Sequence, residues 1–93
     1  MDHAELYRLK GELLLLQNAS GAPEAESCFR EAIEIAQRQQ ARSWELRAAM
    51  SLARLEQFER KKGEAHGLLA RVYGWFTEGH DTLDLQDARA LMR

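Results

Sequence analysis

The chain contains one proline, Pro23, and neither glycine nor proline anywhere between Glu24 and Lys62. Proline is the strongest helix breaker and glycine the next. A long stretch free of both, rich in Ala, Leu, Glu, Arg and Gln and poor in Val and Thr, has few options other than helix. The rest of the chain shares this bias, so an all-α protein is expected.

Hydrophobic periodicity divides the chain into five segments. From about Ala4 to Gln17, Leu6, Leu9, Leu13 and Leu16 form one stripe at helical spacing, and Tyr7, Gly11 and Leu14 form a second beside it. Together they make an apolar arc wider than one neighbouring helix needs. Residues 18–22 read as a loop, and Pro23 suits the first turn of a second helix, with Glu24 and Glu26 at its positive end. That helix carries Ala25, Cys28, Phe29, Ala32, Ile35 and Ala36 on one face, with Glu31, Glu34 and Arg38 mostly opposite. The next break is weakly marked. We place it near Gln40 to Ser43 with Ser43 as the N-cap, a single continuous helix being the rival reading.

The third helix, about Trp44 to Arg60, turns Ala48, Ala49, Leu52, Ala53 and Leu55 inward and closes on Lys61-Lys62-Gly63. The fourth, about Glu64 to Thr77, repeats Ala65, Leu68, Leu69, Val72, Tyr73 and Phe76, with Gly79 as its stop. Asp81 or Thr82 caps a short fifth helix bearing Leu85, Ala88, Leu91 and Met92. The expected organisation is one domain over 1–93, with hairpins at 4–40 and 43–78 and a capping helix at 82–92.

At 93 residues, 45% hydrophobic and 30% charged, the chain suits one folded domain rather than a disordered segment. Its net charge of −2 lacks the basic excess of a nucleic-acid binder. A lone cysteine, Cys28, cannot form an internal disulfide and fits a reducing compartment. The longest apolar run, Leu13 to Leu16, falls far short of the ~18 residues of a membrane span, and Met1-Asp2-His3 does not open a signal peptide. A cytoplasmic location with no membrane partner is expected.

The residues give little support to catalysis. His3, His66 and His80 form no H-E-x-x-H, and no C-x-x-C completes a zinc site. His80 with Asp81, Asp84 and Asp87 has the donors of an oxygen-rich metal site. Those acids also suit the first turn of the last helix, and the calcium-loop spacing is missing. Cys28, beside Phe29 on the apolar face, reads as a buried, inert thiol. Arg60-Lys61-Lys62, the only basic run, suits a helix C-terminus. The glycine-rich phosphate loops and the nucleophile elbow are absent, and the carboxylates spread over solvated faces. No catalytic, cofactor-binding or metal residue is assigned, and no enzyme is expected.

The helices repeat one another. Ala25, Phe29 and Ala32 align with Ala65, Leu69 and Val72 at a spacing of about 40 residues, inside the ~20–50 range of stacked repeats. At a similar spacing Gly11, Leu13 and Leu16 align with Ala53, Leu55 and Phe58. Gly11 as the small residue of a first helix, and Ala25, Phe29 and Ala32 as the small-large-small pattern of a second, resemble the tetratricopeptide (TPR) repeat. The units exceed the usual ~34 residues, and the closing proline is missing.

The run from Ala4 to Leu14, the run from Ala25 to Ala36, Glu45 to Ala49 with Ser51 to Leu55, and Val72 to Gly79 also resemble the C-terminal tail of large bacterial regulators. Those proteins join a cyclase-like or DNA-binding front end to a signalling ATPase and end in TPR-like repeats. The resemblance implies a TPR-like α-solenoid of two elongated repeats plus a capping helix. It further implies a non-catalytic protein-interaction or scaffold module from the end of a bacterial signalling or transcriptional regulator. A self-contained helical DNA-binding or regulatory domain is the alternative.

Two surfaces follow as candidates. TPR-like proteins bind extended peptides on the side formed by the first helix of each pair, which here offers Glu5, Arg8, Glu12, Arg47, Met50, Arg54 and Gln57. Its arginines suit an acidic peptide. The second surface lies on the first helix at Leu6, Leu9, Leu15 and Leu16, where nothing caps the stack, and through it the isolated chain is expected to form a homodimer. Trp75 either packs under the last helix or stands out as an anchor for a protein partner.

Overall fold

The computed structural model describes residues 3–17, 21–59, 64–75 and 83–92. Five helices occupy them: α1 (His3–Gln17), α2 (Ala22–Arg38), α3 (Arg42–Phe58), α4 (Glu64–Gly74) and α5 (Leu83–Met92). No strand occurs among the described residues, as an all-α protein requires. The proposed closing residues Lys61, Lys62, Gly63 and Gly79, the caps Asp81 and Thr82, and Phe76 and Thr77 lie outside them. No described helix is long and apolar enough to cross a membrane.

Each helix packs on the next, and α3 also contacts α1 on one side and α5 on the other. So α1, α3 and α5 run in a row, while α2 and α4 lie over the row without close backbone approach to each other. The principal extents are 39 × 30 × 20 Å. The shortest equals about two helix diameters of ~10 Å, as two layers of helices demand.

The core follows the repeat register. Ala25, Phe29 and Ala32 of α2 and Ala65, Leu69 and Val72 of α4 are all fully buried. They surround α3, whose Leu46, Ala48, Ala49, Leu52, Ala53 and Leu55 are buried on several sides. The tightest approach is between α1 and α2. A Cβ on Gly11 would sit 2.6 Å from Phe29 Cε1, so the ring occupies the space that any larger side chain would need.

The α2–α3 break differs from the expectation. It falls at Gln39–Ala41, and the N-cap of α3 is Ala41, with no side-chain cap bond, rather than Ser43. A continuous helix is excluded by Gln40, which sits at φ 55° in the left-handed region. Gln40 N donates to Gln37 O at 3.1 Å and Ala41 N to Ala36 O at 2.9 Å. This is a Schellman termination, normally made by glycine, built here on glutamine. Gln37 Nε2 donates to Glu45 Oε2 at 3.0 Å across the turn and ties the two helix ends together.

Candidate functional site

Helix α1 has two apolar faces. Ala4 and Gly11 are buried, and Tyr7, Leu14 and Leu15 pack against the core. On the opposite face Leu6 (54% exposed), Leu9 (40%), Leu13 (56%) and Leu16 (83%) stand in solvent. The two stripes read from the sequence are thus an inner and an outer face. Of the four residues assigned to self-association, Leu6, Leu9 and Leu16 lie on the outer face. Leu15 does not: it is half-buried, on the α3 side of the helix, and Leu13 takes its place in the exposed row.

The repeat gives this face its meaning. Its counterparts on α3 are Ala48, Ser51, Leu55 and Phe58. The first three are buried, and Ser51, Leu55 and Phe58 line a cleft of about 310 Å³ that Glu12 and Leu15 of α1 share. On α3, this face is where the preceding helix pair packs. On α1, the same face has no neighbour among the described residues.

The arginine surface is already occupied by its own carboxylates. Glu5 accepts from Arg8 through both carboxylate oxygens, and Arg47 approaches Glu5 Oε2 at 3.4 Å. Arg8 further reaches Ser51 Oγ at 3.5 Å and Glu12 at 3.9 Å, and Arg47 lies over the Trp44 ring at 5.2 Å. Gln57 Nε2 donates to Leu91 O at 2.9 Å, near the end of α5. Met50 is buried and is not presented at all, because α3 is enclosed on more sides than the alignment anticipated. Arg54 is exposed beside the α1–α3 cleft. An acidic peptide would have to displace Glu5 from two guanidinium groups, so this row serves mainly as the polar seam between α1 and α3. Elsewhere Arg30 pairs with Glu26 at 3.6 Å and Arg38 with Glu31 at 3.9 Å.

Two carboxylates depart from the expectation that all lie on solvated faces. Glu45 and Glu56 are buried on α3. Glu56 Oε1 accepts the Ala65 backbone N–H at 3.3 Å, supplying a partner at the start of α4, while Glu45 is held by Gln37. No spacing rule points to either role, because each partner is supplied by a different helix. Every buried side-chain nitrogen and oxygen among the described residues has a hydrogen-bond partner.

Trp75 is not free. It is 42% exposed, and the Arg42 guanidinium at the start of α3 stacks 4.7 Å from its ring centroid. Tyr73 links α4 to α5, its hydroxyl accepting from Arg89 Nε at 3.1 Å. Cys28 is part-exposed rather than buried. His3 and His66 are exposed, and His80, Asp81 and the side chain of Asp84 lie outside the description. Among the described residues no cluster of three metal-binding side chains forms. Comparison of the chain with protein families, with curated proteins and with solved structures finds no match.

Proposed function

We propose that the chain is a non-catalytic protein-interaction module, a pair of TPR-like helical hairpins with α5 as a cap, which contacts protein through the outer face of α1. One observation carries this reading. Four leucines on that face are exposed, whereas three of the four equivalent positions on α3 are buried by the preceding helix pair. A face of this kind is completed by another helical layer. Contiguous exposed apolar patches on small domains mark interaction sites. The pairing of Arg8, Arg30, Arg38 and Arg47 with carboxylates favours this reading over DNA binding, which needs cations turned to the phosphates. A place in the cytoplasm, at the end of a larger bacterial signalling or transcriptional regulator, is the setting we infer from the resemblance.

The test compares the parent with a Leu13→Glu, Leu16→Glu variant. Circular dichroism is expected to give the same helical content for both, since neither side chain supports the core. The immobilised parent is expected to retain a protein, either a second copy or another chain, that the variant does not. Equal retention by the two sinks the reading.

A further inference from the structure

We propose that the groove between α2 and α4 is a separate binding surface, which takes an extended peptide segment carrying one apolar side chain with acidic ones beside it. The groove is walled by the second helix of each hairpin, in the layer that does not contain α1. The inference therefore goes beyond the reading of the α1 outer face and does not depend on it.

Two recesses make the groove. The first, of about 580 Å³, is lined by Ile33 of α2, Leu68 of α4 and, beneath them, Leu52 of α3. The second, of about 490 Å³, is lined by Arg42 and Trp75. Gln37 of α2 and Arg71 of α4 line both, so the recesses meet there. On the α4 side the wall runs from Ala65 to Trp75, about 15 Å at ~1.5 Å per helical residue. An extended chain covers that distance in about four or five residues, at ~3.3 Å each. A small anion would occupy one recess only.

Gly67 marks the seat of the apolar side chain. It is exposed within α4 and lines the first recess. A Cβ at Gly67 would meet nothing within 4 Å, whereas one at Gly11 would run into Phe29. Glycine is among the poorest helix formers, and neither a turn nor a positive φ calls for it here. The packing of the fold gives no reason for a glycine at this position. A groove that admits a side chain between Ile33 and Leu68 does.

Charge selects the rest of the segment. Arg71 is exposed where the recesses meet, and no carboxylate among the described residues pairs with it. Arg42, in the second recess, stacks on Trp75 and has no carboxylate among the described residues either. Two carboxylates line the groove. Glu34 is exposed on the α2 wall of the first recess, and Glu45 is buried in the second, where it accepts from Gln37. Arg30, also in the first recess, is held by Glu26. The second recess thus offers two guanidinium groups to an acid, and the first sets Glu34 against one. The acids of the segment therefore lie on one side of its apolar anchor, over Arg71 and Arg42.

The experiment is an NMR amide-shift titration of the full chain. The probes are two capped tetrapeptides of one leucine and three glutamates, with the leucine first in one and last in the other. One of the two is expected to bind, with the largest shifts at Gly67, Arg71 and Trp75. Changing its leucine to alanine, or its glutamates to lysines, is expected to weaken binding at least ~10-fold. Arg71→Glu is expected to do the same with an unchanged circular dichroism spectrum. Gly67→Leu is expected to abolish binding and to hold or raise Tm, because it fills the recess and favours the helix. A site that serves only the fold would not separate binding from stability in this way. Octanoate, an apolar chain with a carboxylate and no backbone, tests for a free small anion. No binding of either peptide at about 5 mM overturns the proposal, as do shifts centred on α1. So does binding that survives Arg71→Glu or Gly67→Leu, or a fall in Tm on Gly67→Leu. Octanoate binding as tightly as the peptide overturns the peptide as occupant.

Discussion

Helices α1 and α3 occupy the same place in successive repeats, yet they are buried very differently. α3 has α1, α2, α4 and α5 around it and buries ten of its 17 residues, including two glutamates. Among the described residues α1 has only α2 and α3, and buries two of its 15. Leucine content runs the other way, with six in α1 and three in α3. Burial in this protein is decided by how many neighbours a helix has, not by how apolar it is. The more apolar helix is the one left with apolar surface over, which is why its outer face is read as a contact surface.

The contrast can be broken at its strong end first. Leu52→Ala on α3 is expected to cost about 2–5 kcal/mol, because Leu52 is 1% exposed and the surrounding helices cannot collapse into the space. In a domain this small each kcal/mol lowers Tm by roughly 4–8 °C, so a thermal melt resolves it. Gly11→Ala tests a place where α1 is held as tightly as α3. Overpacking against Phe29 outweighs the gain in helix propensity, and a net loss of about 1–2 kcal/mol is expected. A rise in Tm would mean that the Phe29 ring yields and the α1–α2 contact is loose.

Glu56→Ala removes the acceptor for the Ala65 N–H and is expected to cost about 1–2 kcal/mol, read as loss of Tm. Gln40→Gly is expected to stabilise by about 0.5–1 kcal/mol, as relief of the left-handed strain exceeds the added backbone entropy of the unfolded chain. Denaturant titration measures this one best. Leu13→Ala on α1 should change the stability of the dilute, unassociated chain by less than ~0.5 kcal/mol. A loss comparable to that of Leu52→Ala would put Leu13 in the core and remove the contrast altogether.

Much of this was legible in the sequence because it depends on neighbours along one helix. The stripes of α1, Pro23 in the first turn of α2, the small residue facing Phe29, and the matched burial of Ala25 with Ala65 and Phe29 with Leu69 all follow from spacing. The arrangement of the candidate surface was only half legible. Periodicity separated Leu6, Leu9, Leu13 and Leu16 from Tyr7, Gly11 and Leu14, but could not say which row faced α2. Leu15 belongs to neither row, and its place against α3 depends on a helix 36 or more residues away in the chain. Met50 and the buried glutamates depend on how many helices enclose α3, which no single-helix pattern encodes. The Gln40 turn carried no signal because glutamine is not a residue that favours positive φ. The bonds that hold it there come from Gln37 and Ala41, and become visible only in three dimensions.

The two arginine–indole stacks give the molecule a pair of built-in optical probes. Trp44 lies beneath Arg47, which also contacts Glu5 of α1, so its emission is expected to respond when α1 lifts from α3. Trp75 lies beneath Arg42 at the first turn of α3, so its emission follows the end of α4 against the α2–α3 turn. Replacing either indole with phenylalanine leaves a single emitter. Unfolding that starts at the N-terminal helix can then be told apart from unfolding that starts where α4 meets the α2–α3 turn, without attaching a dye.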